Sequence, residues 1–128
     1  MIDKRLLKIA SNTRFYGLKN IYTYKTNLKN SICGDKISIE ISLKKNTIQE
    51  LRYETEACIF CQASASTLAN IAKNTNLGDL RKNLSKYLNL SKKVPKKFNN
   101  LTYLLKDKYM NRKDCILLPF KAFYKAIK

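Results

Sequence analysis

The sequence predicts an α+β fold, a three-stranded antiparallel sheet with helices packed on one face. Three observations carry it. Residues 36–43 alternate Ile37, Ile39, Ile41 and Leu43 with Lys36, Ser38, Glu40 and Ser42, the period of a strand with one buried and one wet face. A second strand-like run, 47–55, follows after only Lys44-Lys45-Asn46, so the two make an antiparallel hairpin. From residue 59 onward the apolar spacing changes to the three-to-four-residue period of helices. With 128 residues and 45% hydrophobic content, the chain is expected to fold as one domain, 1–128, around a real core.

The elements follow in order. Residues 3–12 present Leu6, Leu7, Ile9 and Ala10 as the greasy side of a short helix, stopped by Asn12-Thr13 and Tyr16-Gly17. Residues 20–28 are rich in β-branched and aromatic types, and Tyr22, Tyr24 and Thr26 would share one face of a first strand. The loop 27–35 leads into the hairpin, whose second strand points Leu51 and Tyr53 inward and Glu50, Arg52 and Glu54 outward. Residues 59–73 read as a helix whose small residues, Ala63 to Ser66, allow close approach to a sheet or another helix. A second helix opens at Leu77-Gly78-Asp79-Leu80 and carries Leu80, Leu84 and Leu88 at spacing four. A basic loop spans 89–97, and a helix over 98–110 aligns Leu101, Leu104, Leu105 and Tyr109. The last helix is expected to begin near Pro119, a good first-turn residue, with Phe120, Phe123, Tyr124 and Ile127 on one face.

The net charge is +17, from 26 basic and 9 acidic residues. Such a balance attracts nucleic acid, anionic membrane or an acidic protein. Most of the basic residues are lysine, whereas base and phosphate readers favour arginine, and the lysines spread along the whole chain in a composition rich in Lys, Asn and Ile. That pattern speaks against nucleic acid and favours an acidic protein partner over it, and a composition bias of an AT-rich genome accounts for such a charge without any function. No run approaches the roughly 20 apolar residues of a membrane span. The N-terminus has no continuous apolar core of a secretory signal, so a cytoplasmic protein is expected.

Four cysteines and no histidine confine any metal or sulfur chemistry to thiolates and carboxylates. In a reducing compartment, clustered thiols serve more often as ligands or reactive groups than as disulfides. Cys33 and Asp35 fall in the loop before a strand, Cys58 at a strand-to-helix junction, and Cys115 just before the final helix. A helix start favours the thiolate through its partial positive charge. Three thiolates and one carboxylate suit tetrahedral zinc or the iron of a cluster. Other readings stand beside this one. Cys115 could be a small buried hydrophobe. Asp35 after Gly34 could be a turn residue. Cys58-Ile59-Phe60-Cys61 could be a redox pair, although the βαβ setting of such pairs is missing here. Ser64 and Ser66 read as helix-packing residues.

Cys33-Gly34-Asp35, then Cys58 followed by Gln62-Ala63-Ser64-Ala65-Ser66, then a cysteine before a closing amphipathic helix, resembles the U-type iron–sulfur assembly proteins: IscU, SufU and the N-terminal part of NifU. Asn12-Thr13-Arg14-Phe15-Tyr16-Gly17 is similar to that family's N-terminal segment, and the likeness is weakest over residues 85–111. The resemblance implies a three-stranded sheet sandwiched with helices, of the SufE/NifU kind, and a non-enzymatic scaffold. By the same resemblance Cys33, Asp35, Cys58 and Cys115 hold the metal, and Cys115 is the acceptor that carries sulfur as a persulfide. The implied cargo or cofactor is a transient [2Fe–2S] cluster or zinc. The implied partners are a cysteine desulfurase and the apo iron–sulfur or carrier proteins that receive the cluster.

Three departures bear on the branch. Asp114 stands where IscU-like scaffolds carry a histidine before the third cysteine. Leu118-Pro119-Phe120-Lys121 follows that cysteine, so the upstream chaperone-binding segment of IscU has no counterpart. The interval from Cys58 to Cys115 is longer than in IscU. The longer interval and Ala63-Ser64-Ala65-Ser66 resemble SufU more closely. SufU-like members allow a zinc-dependent sulfur acceptor that builds no cluster, which is the alternative reading; a basic nucleic-acid module with structural zinc is the remoter one. Cys61 stands where those members often have serine, and it reads as inert or auxiliary rather than as a ligand or resolving thiol.

Overall fold

A computed structural model describes residues 3–31, 34–88 and 98–127, except the side chains of residues 87, 88 and 107. Cys33 and the basic run 89–97 lie outside the described residues, as does the Leu88 side chain. The elements are α1 (Lys4–Ser11), β1 (Tyr24–Lys29), β2 (Lys36–Lys44), β3 (Thr47–Glu56), α2 (Ile59–Ala72), β4 (Thr75–Asn76), α3 (Leu77–Leu88), α4 (Asn99–Leu104), a 3-10 helix (Asp107–Arg112) and α5 (Lys113–Ala126). No helix of the described residues is long and apolar enough to cross a membrane.

The expected meander is present and gains a fourth strand, in the order β1-β2-β3-β4, all antiparallel. Lys45 (φ 50°) and Asn46 (φ 65°) occupy the two left-handed positions of a tight β2–β3 hairpin, as its right-handed twist requires. The added β4 is two residues long and sits on Thr47 and Ile48. Its short length and lack of apolar alternation hide it from a reading by period.

Ile37, Ile39, Ile41, Ile48, Leu51 and Tyr53 form the inner face of the sheet. Against it lies α2, which is buried nearly all round: from Phe60 to Ala72 only Gln62 and Asn70 are exposed. A helix apolar on every side belongs in the middle of a structure, and α1, α4 and α5 enclose this one.

The outer face of the sheet is not simply wet. Residues 16–23 cross it as a strap, which is why β1 begins at Tyr24 rather than near residue 20. The three polar side chains read as outward-facing solvent groups, with Glu40, hold the strap. Arg52 donates from Nε to the Gly17 carbonyl (2.6 Å) and from Nη2 to the Tyr16 carbonyl (2.8 Å). Glu54 accepts from the Leu18 N–H (2.9 Å), and Glu50 pairs with Lys19 (3.2 Å). Glu40, only 2% exposed, accepts the Lys19 and Asn20 N–H groups at 2.9 and 3.1 Å.

Two helices differ from the sequence reading. The expected helix over 98–110 stops at Leu104 and resumes as the 3-10 helix. The tighter winding turns Tyr109 inward against Phe60, with ring centroids 5.2 Å apart. The last helix begins at Lys113, not near Pro119, so Cys115 is its third residue rather than a residue of the preceding loop. Pro119 lies inside α5, where it removes the N–H that would meet the Cys115 carbonyl. Burial of Ile116, Leu118, Pro119, Phe120 and Phe123 outweighs that loss.

Candidate metal centre

Three separate elements deliver the site. Asp35 comes from the β1–β2 loop, which is closed by two reciprocal bonds: Asn30 N–H to the Asp35 carbonyl, and Gly34 N–H to the Asn30 carbonyl, both 2.8 Å. Gly34 (φ +78°) adopts the left-handed backbone that this turn needs, which L side chains rarely take. Asp35 is thereby fixed at the entry of β2 and is 8% exposed.

Cys58 is the N-cap of α2, two residues past the end of β3. Gln62 braces this junction: its N–H meets the Cys58 carbonyl at 3.1 Å, and its side-chain amide donates to the Ala57 carbonyl at 3.0 Å. The first N–H groups of α2 have no partner within the helix and bring partial positive charge beside the Cys58 sulfur. Cys115 enters from the first turn of α5 and is 6% exposed.

The ligating atoms of Asp35, Cys58 and Cys115 lie within 4.8 Å of one another. The Cys58 thiol donates to Asp35 Oδ2 at 3.4 Å. Tetrahedral zinc with Zn–S bonds near ~2.3 Å needs a ligand spacing of about 3.8 Å, so the trio closes on an ion with movements of about an ångström. Two thiols and one carboxylate, with Cys33 two residues before Asp35 in the sequence, fit the donor set of zinc or of cluster iron. Cys61 is three residues along α2, fully buried in the core, and is not one of the clustered ligands. Cys58, Cys61 and Cys115 are all thiols, with no disulfide among them.

Asp114, in the place of a histidine, is exposed and stands outside the trio. It lines a cleft of about 260 Å³ beside the β1–β2 loop, together with Lys29 and Lys121. A larger cleft, about 670 Å³, lies between α1 and the second half of α2, and no ligand residue lines it. Neither cleft is lined by Asp35, Cys58 or Cys115; the candidate metal centre is defined by its convergent ligands rather than by a cavity.

One residue read only as packing does more. The Ser64 hydroxyl is fully buried and donates to the Ile116 carbonyl, tying α2 to α5 next to Cys115. Ser66 likewise donates to the Asn12 carbonyl, at 2.8 Å. A buried hydroxyl demands a partner, and two serines on a helix apolar all round were the available signal.

Fold and side chains together describe an α+β protein with two thiols and a carboxylate that could hold a metal ion. The profile of the NifU-like N terminal domain matches residues 3–118. The chain belongs to that family, the U-type group of iron–sulfur cluster assembly scaffolds. It is similar to the iron–sulfur cluster assembly scaffold protein IscU of Thermotoga maritima, 24% identical over 136 residues that span 100% of this chain and 93% of the relative. Among solved structures it is similar to a nitrogen-fixing NifU-like protein (N-terminal) from Brucella abortus, with a TM-score of 0.81, 21% identity and coverage of 98% of this chain and 90% of that one. A protein of Fervidobacterium islandicum, proposed as the iron–sulfur cluster assembly scaffold of its SUF system, gives a TM-score of 0.81, 19% identity and coverage of 99% and 96%. At these identities the two structures speak for the fold.

Proposed function

We propose that the chain is an iron–sulfur assembly scaffold, with Cys33, Asp35, Cys58 and Cys115 as metal ligands, which receives sulfur from a cysteine desulfurase. The observation that carries this reading is the convergence of Asp35, Cys58 and Cys115 from three elements to within 4.8 Å. A [2Fe–2S] cluster would be the cargo, passed on to apo iron–sulfur or carrier proteins. Thiolates of this kind need a reducing compartment, which we take to be the cytoplasm.

On metal uptake the Cys58 proton, shared with Asp35, must leave. Asp35 offers a hard oxygen among soft sulfurs and is the ligand most easily exchanged. In the sulfur step, the Cys115 thiolate attacks the outer sulfur of the desulfurase persulfide. The S–S bond breaks, the desulfurase cysteine departs as thiolate, and Cys115 becomes the persulfide. No net oxidation occurs; the sulfur becomes sulfide only when a thiol or electron-transfer protein supplies two electrons. Cys115 is more buried than Cys58, so its cover must part before a donor reaches it.

The test is mass spectrometry of the chain after incubation with a cysteine desulfurase and cysteine. One added sulfur atom on the wild type, retained in Cys58→Ser and lost in Cys115→Ser, supports the assignment. An adduct that survives Cys115→Ser moves the acceptor role elsewhere.

One observation favours a second reading, a zinc-dependent sulfur acceptor that builds no cluster. Asp114 supplies no nitrogen ligand and stands apart from the trio. Anaerobic reconstitution of the metal-stripped protein with iron and sulfide separates the two readings: a stable thiolate-to-iron spectrum means a scaffold, and failure to hold iron and sulfide by a protein that binds zinc means an acceptor.

A further inference from the structure

The site's supporting structure reaches the far end of the sequence. Asp3 is the N-cap of α1 and accepts the Leu6 N–H through Oδ1 at 2.8 Å. A cap needs no more than that. Yet Oδ2 of the same carboxylate accepts three further donors: the Tyr103 hydroxyl, the Tyr109 hydroxyl at 2.5 Å and the Lys108 ammonium at 2.9 Å. All three come from the segment that runs directly into α5. Tyr109 is 1% exposed, and its ring meets Phe60 edge-on at 5.2 Å, two residues past Cys58. The Arg112 guanidinium lies over the same Phe60 ring at 5.6 Å, three residues before Cys115. A continuous set of contacts therefore runs from Asp3 through Tyr109 to the first turns of both helices that carry the thiols.

We propose that Asp3 is a positioning residue for the metal centre, its carboxylate locking the 3-10 helix so that α5 presents Cys115 beside Cys58. This rests on the reading of Cys58 and Cys115 as ligands. Three donors on one oxygen require an anion. An asparagine at position 3 can cap α1 as well as aspartate, but its amide NH₂ would then face three donors. Asp3→Asn thus keeps the cap and removes the lock. Tyr109→Phe removes one donor and keeps the ring against Phe60. Leu6→Ala serves as the control for stability alone, because it removes a fully buried side chain of α1 and leaves in place the backbone N–H that Asp3 Oδ1 accepts.

The probe is cobalt(II), titrated anaerobically into the full chain well below every variant's melting temperature and followed by thiolate-to-cobalt absorption. Groups that orient ligands typically change metal affinity by about 10–100-fold when removed. Asp3→Asn and Tyr109→Phe are each expected to weaken cobalt binding about tenfold, and the double variant should be no weaker than Asp3→Asn alone. Leu6→Ala should bind like the wild type. Wild-type affinity in both Asp3→Asn and Tyr109→Phe overturns the proposal, and so does an equal loss in Leu6→Ala. If Cys58→Ser and Cys115→Ser also bind cobalt normally, the metal centre itself is wrong. If they lose cobalt while the position 3 and position 109 variants keep it, only the role of Asp3 falls.

Discussion

The Ser64 hydroxyl donates to the carbonyl of Ile116, one residue beyond Cys115. It is a fixed point between the two helices that carry Cys58 and Cys115. The bond lies next to Pro119, whose ring interrupts the hydrogen bonding of α5 at this level. Ser64→Ala removes this buried bond between the helices, which should cost about 1 kcal/mol. Urea denaturation of the metal-free protein reads the loss. Stability equal to wild type would mean that Ser64 acts through its small size alone.

The Cys58–Asp35 bond makes metal uptake a proton-releasing reaction. Zinc titrations in buffers of different ionisation enthalpy should show at least one proton leaving per ion near neutral pH. Apparent affinity should then rise with pH. A heat of binding that is the same in every buffer would place the ion elsewhere.

Metal removal should also lower the melting temperature, because binding energy to the native state adds to folding energy. The stabilising increment should grow with free metal concentration and disappear in Cys58→Ser. An increment that persists in that variant would indicate a different binding site.

Cys61 is fully buried and packed in the core. Cys61→Ala should leave zinc stoichiometry and affinity unchanged while reducing stability by about 1 kcal/mol for the lost packing. Loss of metal on this substitution would promote Cys61 to a ligand.

The cluster around Asp3 predicts a pH profile. Hydrogen bonds from Tyr103, Tyr109, Lys108 and the Leu6 N–H hold the Asp3 carboxyl far below its ordinary range. Its contribution is therefore present above the unfolded carboxylate value and persists well into acid. Lys108 is pushed up, first by its bond to Asp3, and Tyr109 is pushed up by burial and then by the same carboxylate. Both favour the protonated form, so their contribution is complete below the unfolded values and fails as alkali removes the protons. In a tyrosinate absorbance titration, Tyr109→Phe should delete a late-titrating tyrosine. Deletion of an early, ordinary one would contradict the assignment.

Much of the fold was legible because burial leaves a period. The alternation of Ile37, Ile39 and Ile41 and the inward Leu51 and Tyr53 are all realised. The missed features have causes that no period reports. Thr75 and Asn76 pair with Thr47 and Ile48 by backbone alone. Glu40 alternates like a solvent residue but is buried because the strap at residues 19–20 comes to it from another part of the chain. Pro119 looks like a helix start because its local preference says so, while buried Ile116 and Leu118 extend the helix past it. At the candidate site, Asp35, Cys58 and Cys115 could be singled out by residue type and position, and the structure brings them together. Asp3 and Tyr109 could not, since their roles depend on each other across 106 residues of chain.

The proposed metal ligands are tested most directly by metal and acid-labile sulfide content, with a visible spectrum, on protein purified anaerobically. The wild type should be measured beside Cys33→Ser, Cys58→Ser and Cys115→Ser. Iron with labile sulfide, or bound zinc, is expected in the wild type, with a marked loss in all three variants. Wild-type metal content in Cys58→Ser and Cys115→Ser would contradict the ligand assignment.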